Sequence, residues 1–403
     1  MNDSTDSATT TRDFAPLVSD FYGMEADLSA QEKSVIMRLR QYLETEVKPI
    51  VNDHWARAEF PMFVVKGLAD LGIFGLPYPE TRTFESSAVF RGWVAIELAR
   101  IDSSIATLVG MQHGLVMGAI SVAGSDEQRA EWLPKFASGE ALGCFALTEP
   151  LSGSDSARGL RTTATRNGDD WIITGEKRWI GNGTLATHAI VWAKSTEDGQ
   201  VKGFIVPTAT SGYSATKIEN KQALRIVQNA DITLSEVRVP EANRLQKAES
   251  FRETAAVLRQ TRAEVAWSSI GNSIGAYEAS LRHAGEREQF GKTIDHFQLI
   301  QELLAKQLAN ITASIALCTR VSQMLDLGIQ KDEHSALAKE FATSRMRETV
   351  AWARESMGGN GIVLENDVIR HFADAEALYS YEGTREMNTL IVGRAITGTA
   401  AFV

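Results

Sequence analysis

The chain has 403 residues, of which 44% are hydrophobic and 23% are charged, as in ordinary soluble globular proteins. This length exceeds what one simple core supports, so two or three domains are expected. The formal net charge of −10 argues against nucleic acid or an anionic membrane as a partner. Cys144 and Cys318 are isolated and no His-Glu-x-x-His occurs, so neither a disulfide framework nor a metal site is predicted.

The chain begins with a stretch rich in Ser, Thr and Asp, Met1 to Arg12, which has no apolar or Arg-rich region. This composition is typical of a disordered tail and not of a targeting peptide, and we assign residues 1–28 to a disordered or extended arm. No apolar run approaches the ~18 residues that cross a bilayer. The last five residues, Thr399 to Val403, carry no peroxisomal signal. A cytoplasmic protein without a membrane partner is therefore expected.

Residues 29–143 have a helical pattern. Ser29 to Glu32 is a capping-box sequence ahead of an amphipathic helix that we expect to end at Val47. Further helices are predicted where apolar residues recur at three- and four-residue steps. These are Phe63 to Leu71, Ala88 to Arg100, Ile105 to Val122 and Asp126 to Phe136.

Residues 144–248 consist of short β-branched runs separated by turn signals such as Asn167 to Asp170. The expected strands are Thr162 to Arg166, Trp171 to Thr174, Ala189 to Ala193, Gly203 to Val206 and Ala230 to Val239. Such runs predict an antiparallel β domain, a barrel or a sandwich.

Residues 249–403 return to a helical pattern. Four long segments end at Gly or Asp signals, and they are Phe251 to Glu286, Phe297 to Leu327, His334 to Met357 and Asp367 to Leu378. Four successive long helices predict a bundle. The chain is therefore read as α+β, with helical, β and helical domains in that order.

The stretch from Cys144 to Asn182 is the most polar interruption of this pattern. An apolar run is followed at once by Pro150, Gly153 and Ser154, so a buried strand is expected to open into an exposed loop. Free backbone N–H groups and hydroxyls in such a loop suit a phosphate or the polar edge of a cofactor. Trp179 could stack on an aromatic ring. An ordinary strand–turn–strand with a core Trp explains the same residues equally well.

Two other sites have similar alternatives. Met357 to Gly361 contains three glycines, of which one can end a helix, while the others suit either a ligand or a tight turn. Glu382 lies beside Tyr379 and Tyr381. In an apolar site its pKa would rise toward the range of a general base, although a surface Glu in a turn fits the same sequence. Arg287 could bind phosphate or be a solvated Arg at a helix end.

Two nucleotide-binding motifs are not predicted. Gly291-Lys292-Thr293 resembles the end of a P-loop, but Glu286 stands where that loop requires Gly. No Gly-x-Gly-x-x-Gly follows a predicted strand, so a Rossmann-type dinucleotide site is not expected.

Taken together, these stretches resemble the acyl-CoA dehydrogenase/oxidase family from about residue 30 to the end. Leu147 to Asp155 is similar to the family's flavin and substrate loop, and Arg287 to Gly291 to its Arg-x-x-Phe-Gly motif. Met357 to Gly361 is similar to the Gly-Gly-Asn-Gly turn, and Tyr381 to Thr384 to the segment that holds the catalytic base. The ending Gly393 to Gly398 is similar to the glutaryl-CoA dehydrogenase branch, which includes plant short-chain acyl-CoA oxidases.

The resemblance implies an N-terminal helical domain, a middle β-barrel and a C-terminal four-helix bundle, with FAD as the cofactor. It also implies that Glu382 removes the α-proton of a short acyl-CoA while the β-hydride goes to flavin N5, giving trans-2-enoyl-CoA. Electrons would pass to an electron-transferring flavoprotein. The alternatives are an oxidase that forms H2O2, a glutaryl-CoA dehydrogenase, or a catalytically silent acyl-CoA-binding protein, which the presence of Glu382 disfavours.

The matching positions imply the site residues. The catalytic residue is Glu382, and substrate would contact Ser154, Arg262, Tyr381 and Gly383. FAD would contact Phe145, Leu147, Thr148, Gly153, Ser154, Trp179, Ile180, Gly181, Arg287, Phe290, Gln298, Glu355, Met357, Gly358, Gly359 and Thr384. Gly358 and Gly359 would reach the FAD of a neighbouring subunit, which implies a homotetramer built on the C-terminal helices.

Three departures from the family pattern concern specificity. Ala106 stands where glutaryl enzymes carry an Arg for the distal carboxylate, so a dicarboxylyl substrate is not favoured. Thr261 stands where isovaleryl and long-chain members place their base, which leaves Glu382 as the candidate. Gly181 replaces the Thr of most dehydrogenases and resembles the plant oxidases, so the fate of the electrons stays open.

Overall fold

The computed structural model describes residues 14–401. Of the predicted tail 1–28, residues 1–13 lie outside this range. Within the rest, Leu17 and Leu28 are buried in the main core and Met24–Asp27 forms a 3-10 turn. The N-terminal helices are α1 Ala30–Tyr42, α2 Lys48–Arg57, α3 Phe63–Asp70, α4 Ala88–Ile101, α5 Ser103–Val109, α6 Gly118–Ala123 and α7 Asp126–Ala137. The predicted capping box is present, because Ser29 and Glu32 each accept a hydrogen bond from the other's backbone N–H. The predicted end at Val47 is wrong: a π-helical turn, Leu43–Val47, leads directly into α2. Pro49 lies in the first turn of α2, directly after the π-helical turn, where the regular i→i−4 ladder is already interrupted, so its missing N–H does not end the helix.

A second π-helical segment, Gly110–Met117, joins α5 to α6. The whole stretch Ser103–Ala123 is 21 residues long and apolar enough to cross a membrane by length and composition alone. The prediction that no run approaches this length is therefore wrong. However, 67% of its most apolar window is buried inside the protein, and residues such as Val109 and Ile120 belong to the main hydrophobic core. Its composition is that of a core helix.

The middle domain is one mixed sheet of β1 Gly143–Ala146, β2 Thr163–Asn167, β3 Asp170–Ile180, β4 His188–Ser195, β5 Val201–Pro207, β6 Tyr213–Lys217 and β7 Ala230–Pro240, with a short helix α8 Ser156–Gly159 before β2. The strand order is β1-β4-β2-β3-β7-β6, and β5 pairs with β4. The prediction of an antiparallel barrel is wrong on two counts. The sheet curls into a half-barrel with β6 at one edge, and β4 pairs in parallel with both β1 and β2.

The C-terminal domain contains α9 Phe251–Glu286, the hairpin β8 Glu288–Gln289 and β9 Lys292–Thr293, α10 Gln298–Asp326, α11 Asp332–Ser356, α12 Val368–Ser380 and α13 Arg385–Thr397. Short 3-10 turns occur at Met24–Asp27, Glu241–Asn243, Ile294–His296, Gly358–Ile362 and Leu364–Asn366. The four predicted helices are confirmed as α9 to α12, whereas α13 was missed. Met387, Leu390 and Ile391 of α13 do recur at three- and four-residue steps, but Asn388 is the one residue of α13 that is buried.

Three buried clusters hold the domains together. The largest joins the N-terminal helices to one face of the sheet and to α9. A second fills the opposite face of the sheet, and a third packs α9 against α11 and α12. A buried ion pair also connects the two helical domains, because Arg370 donates to Asp102 at 2.9 Å and to the Ile101 carbonyl at 2.8 Å. These contacts fix α4, α5, α9 and α12 relative to one another, and the candidate site lies where α5, α9 and the end of α12 meet.

Candidate active site

The turn between α12 and α13 carries Glu382 in a backbone conformation that most side chains avoid. Glu382 has φ +53° and the following Gly383 has φ +83°. Two left-handed residues in succession reverse the chain sharply and are costly for a non-glycine residue. Outside the turn, the Thr261 hydroxyl of α9 donates to Glu382 Oε2 at 2.9 Å. The Tyr381 hydroxyl lies 3.5 Å from Thr107 Oγ1 of α5.

The surroundings of Glu382 raise its pKa above the ordinary value for a glutamate. Burial is the largest cause, since it disfavours the charged carboxylate. The Thr261 hydrogen bond and the positive charges of Arg262 and Lys339 act in the opposite direction without cancelling it, and the negative charge of Glu264 adds to the increase. A half-buried carboxylate with a raised pKa is suited to take a proton and return it to solvent.

Thr261→Val is expected to raise the pKa of Glu382 further and to move the acidic limb of the kcat/KM–pH profile toward higher pH. The hydroxyl stabilises the carboxylate form, and a hydrogen bond to a charged group is worth ~1.5 kcal/mol or more, which corresponds to about one pH unit. The matched control is Thr254→Val on the same helix, because the buried Thr254 hydroxyl has no partner among the described residues. Coincident profiles for both variants and the wild type would contradict the assigned role of Thr261.

Lys339 holds the two ends of the Glu382 turn. Its side chain is fully buried on α11, and Nζ donates to the Tyr379 carbonyl at 2.8 Å and to the Gly383 carbonyl at 2.9 Å. Burial lowers its pKa to about 8, which the nearby Glu382 charge opposes. The sequence analysis did not predict a role for Lys339. The pattern that could have indicated one is a lysine among Ala336, Ala338 and Ala342, on a helix face that is otherwise apolar.

Arg262 also lies beside the turn. It forms an ion pair with Asp332 at the start of α11, and its Nε is 3.8 Å from the position that a Cβ on Gly383 would occupy. Gly383 itself is constrained twice, by its positive φ and by the Asn388 amide, 3.3 Å from the same position. Of the predicted substrate residues, Tyr381, Gly383 and Arg262 are therefore brought together around Glu382. Ser154 lies elsewhere, exposed in the loop after β1.

The loop after β1 is fastened to the end of β3. Phe145 and Leu147 are buried, and the Arg178 N–H donates to the Thr148 carbonyl at 2.8 Å. This bond brings the predicted residues Phe145, Leu147 and Thr148 next to Trp179 and Ile180. Gly153 and Ser154 are exposed further along the loop.

A buried ion pair supports this loop from below. Lys177 Nζ donates to Glu149 Oε1 at 2.9 Å and to the carbonyls of Leu147 and Trp192 at 3.1 and 2.8 Å. The Glu149 carboxylate also accepts the backbone N–H groups of Arg161 and Thr162. The sequence reading missed both members of the pair, because nothing in the local pattern distinguishes them from strand and loop charges at the surface.

The remaining predicted FAD residues form two groups, in which every residue except the buried Met357 is exposed. Arg287, Phe290 and Gln298 surround the β8–β9 hairpin, where Phe290 has φ +54° and is 93% exposed. The second group lies at the end of α11 and comprises Glu355, Met357, Gly358 and Gly359. Within residues 14–401, no hydrogen bond joins either group to the Glu382 turn. Thr384 caps α13 by accepting from the Met387 N–H, directly after that turn.

Family models match the chain in three successive parts. The acyl-CoA dehydrogenase N-terminal domain matches residues 29–140, the middle domain residues 144–237 and the C-terminal domain residues 251–397. The chain belongs to the acyl-CoA dehydrogenase family. Members of this family are FAD-dependent oxidoreductases.

Relatives that match over most of their length are also acyl-CoA dehydrogenases. A probable acyl-CoA dehydrogenase of Bacillus subtilis, YngJ, is 32% identical over 379 residues, which cover 93% of this chain and 100% of the relative. The mouse mitochondrial short-chain specific acyl-CoA dehydrogenase is 29% identical over 88% of this chain and 87% of its own. The crystal structure of glutaryl-CoA dehydrogenase from Mycobacterium smegmatis superposes with a TM-score of 0.91 at 38% identity, covering 96% and 99% of the two chains. A second structure of a glutaryl-CoA dehydrogenase from that organism, in complex with FADH2, superposes with a TM-score of 0.91 at 34% sequence identity. The match covers 95% of this chain and 98% of the other.

The surface of this acyl-CoA dehydrogenase fits FAD. Trp179 has φ +63° and is 53% exposed at the end of β3, which presents a flat apolar face to a ring system. Arg287 is exposed, and none of the described carboxylates forms an ion pair with it, so its charge is available to a diphosphate. A Cβ at Gly153, Gly358 or Gly359 would meet no atom within 4 Å, which leaves the backbone at these positions accessible to a ligand.

The structure shows the surroundings of two positions that depart from the family pattern, Ala106 and Gly181. Ala106 is buried in the core of α5, so no cation stands at the position where glutaryl enzymes carry their Arg. At Gly181, a Cβ would lie 2.7 Å from Met111 Sδ and 2.8 Å from its Cε. Met111 therefore fills the space that a side chain at position 181 would need. Met111 follows Thr107 by four residues, so both lie on one face of the same helical stretch. Gly181 at the end of β3 meets this face at Met111, and Tyr381 of the Glu382 turn meets it at Thr107.

Gly181→Thr is expected to destabilise the protein by about 1 kcal/mol, the lower end of the cost of overpacking, because the atoms that it displaces are the flexible end of the Met111 side chain. Combining it with Met111→Ala should cost less than the sum of the two single changes, since each relieves the defect of the other. Urea unfolding of the two single variants and the double variant measures the coupling. Strictly additive costs would show that the two residues do not compete for the same space.

Proposed function

We propose that this chain catalyses the FAD-dependent α,β-dehydrogenation of a short-chain acyl-CoA to trans-2-enoyl-CoA, with Glu382 as the base. The observation that carries the proposal is the half-buried Glu382 carboxylate, whose pKa is raised and whose position is fixed by Thr261. The family membership supplies the reaction class, and the short-chain and glutaryl relatives support a small acyl group.

The α-proton of a thioester is weakly acidic, so the site must both accept the proton and stabilise the developing enolate. Glu382 takes the proton, and the backbone N–H of the same residue is available to the thioester oxygen, since no described backbone carbonyl accepts from it. When bound, FAD supplies the acceptor for the hydride that leaves the β-carbon. The substrate thereby loses two electrons and two hydrogens, and a C=C bond forms.

The proposed electron acceptor is an electron-transferring flavoprotein. Reaction with O2 is the second candidate, because Gly181 is the residue that resembles the oxidases and Met111 occupies its side-chain space. Ala106 argues against a glutaryl substrate.

We further propose a homotetramer built on the C-terminal helices. The apolar residues Leu299 and Ile396 on these helices support it, because their side chains are 74% and 79% exposed.

The experiment that tests the function is an anaerobic titration of the FAD-loaded protein with butyryl-CoA, followed by admission of air. Bleaching of the flavin that persists in air and is reversed by an electron-transferring flavoprotein is the expected result. Rapid reoxidation in air with one H2O2 formed per enoyl-CoA would establish the oxidase instead. A flavin that no acyl-CoA bleaches would refute dehydrogenation and indicate a silent acyl-CoA-binding protein.

A further inference from the structure

A second carboxylate stands one turn along α9 from the partner of the base. Glu264 follows Thr261 by three residues, so the two side chains share one face of the helix. Its carboxylate packs against the π-helical segment at two glycines. A Cβ on Gly110 would lie 2.9 Å from Glu264 Oε1, and a Cβ on Gly114 would lie 2.9 Å from Oε2 and 3.1 Å from Thr261 Cγ2. The carboxylate has room because both positions lack a side chain.

The carboxylate has one protein partner and one open oxygen. His113 Nε2 lies 2.9 Å from Glu264 Oε1, and His113 is buried with its Nδ1 unpartnered among the described residues. No residue within 14–401 donates a hydrogen bond to Oε2. Burial lowers the pKa of Arg91 on α4 and the Glu264 charge opposes this, but the Arg91 guanidinium donates its hydrogen bonds to Ser86 and lies 3.9 Å from Asp326.

Glu264 faces the same space as the base. Its negative charge contributes to the raised pKa of both Glu382 and Tyr381. The hydroxyl of Thr261 donates to Glu382, and the methyl group of Thr261 lies beside Gly114, next to Glu264 Oε2. Three residues along an α-helix correspond to about 4.5 Å, roughly three to four carbon–carbon bonds. The Thr261 hydroxyl that contacts Glu382 and the Glu264 side chain are therefore offset along α9 by about the length of a short acyl chain.

We propose that Glu264 determines specificity and that the preferred substrate is a four- or five-carbon acyl-CoA with a cationic hydrogen-bond donor at its distal end. This inference rests on the function proposed above. A guanidinium or ammonium group would satisfy the open Oε2 and be attracted by the charge. A distal carboxylate would face a like charge with no cation at Ala106, and a plain alkyl end would leave the half-buried carboxylate unsatisfied.

The test compares kcat/KM for 4-guanidinobutyryl-CoA, butyryl-CoA and glutaryl-CoA in the wild type and in Glu264→Gln. The wild type should prefer the guanidino substrate over butyryl-CoA by about tenfold to hundredfold, the usual range for a hydrogen bond to a charged partner, and should use glutaryl-CoA least. Glu264→Gln should lose most of this preference and gain activity on glutaryl-CoA. The control is Glu302→Gln, an exposed carboxylate on α10, which should leave all three ratios unchanged.

The outcomes separate this inference from the function itself. If butyryl-CoA bleaches the flavin but the guanidino substrate is no better in the wild type, the specificity proposal fails while dehydrogenation stands. A uniform loss on all substrates in Glu264→Gln, with a lowered Tm, would reduce the Glu264–His113 pair to a structural role. If no thioester bleaches the flavin, both proposals fail. The wild-type preference decides the matter even if Glu264→Gln does not fold.

Discussion

Glu382→Gln is expected to keep FAD and acyl-CoA bound while turnover falls about 10³- to 10⁴-fold, the upper part of the range for removing a general base. Gln is nearly isosteric and still accepts from the Thr261 hydroxyl, so the left-handed turn and its contacts persist. It cannot take the α-proton. The other carboxylate near the turn, Glu264, lies one helical turn further along α9 than Thr261, where we place the distal end of the acyl group, so it is not expected to replace Glu382.

Three measurements on this variant give the result its meaning. The flavin spectrum and its perturbation by butyryl-CoA report binding, and stopped-flow bleaching reports chemistry. Glu386→Gln is the control, because Glu386 lies four residues further along the chain, is exposed and pairs with Arg385. Normal bleaching in Glu382→Gln would remove the assignment of the base. Equal losses in both variants would attribute the effect to the fold of the segment.

Lys177→Met is expected to destabilise the protein by about 3–5 kcal/mol, the typical cost of breaking a buried ion pair by removing one partner. Methionine fills the volume but leaves Glu149 without its counter-charge and the carbonyls of Leu147 and Trp192 without a donor. The loop from Leu147 to Asp155 depends on this pair, so weaker FAD retention should accompany the loss of stability. Urea unfolding and the flavin content after gel filtration measure the two effects.

The control is Lys194→Met, an exposed lysine on β4 of the same sheet, which should change stability by less than about 0.5 kcal/mol. The defect of Lys177→Met should also shrink at low pH. Burial alone would raise the pKa of Glu149, but the Lys177 charge and the Thr162 hydrogen bonds hold it below the ordinary value. A carboxylate with a lowered pKa contributes stability above its unfolded pKa and loses it as the pH falls through the folded value. A pH-independent difference would place the effect in packing and not in the ion pair.

The sequence alone defined the elements whose signals are local. The predicted bounds of α9, Phe251 to Glu286, are those observed, because periodicity and capping depend on residues within a few turns. The family followed from short contiguous motifs for the same reason. The sequence missed β6, Tyr213–Lys217, which has few apolar residues and is held as a strand by pairing with β7.

Tertiary structure decided what depends on residues far apart in the chain. The sheet is open and partly parallel because β4 lies between β1 and β2, a pairing that no single strand records. Lys339 is important because it meets the carbonyls of residues 379 and 383, and Glu264 because residues 110, 113 and 114 surround it. An isolated charged residue on a helix has the same local pattern whether it faces water or a buried turn. Only the packing of α5, α9, α11 and the Glu382 turn distinguishes the two, because desolvation and hydrogen-bond geometry are properties of the assembled fold.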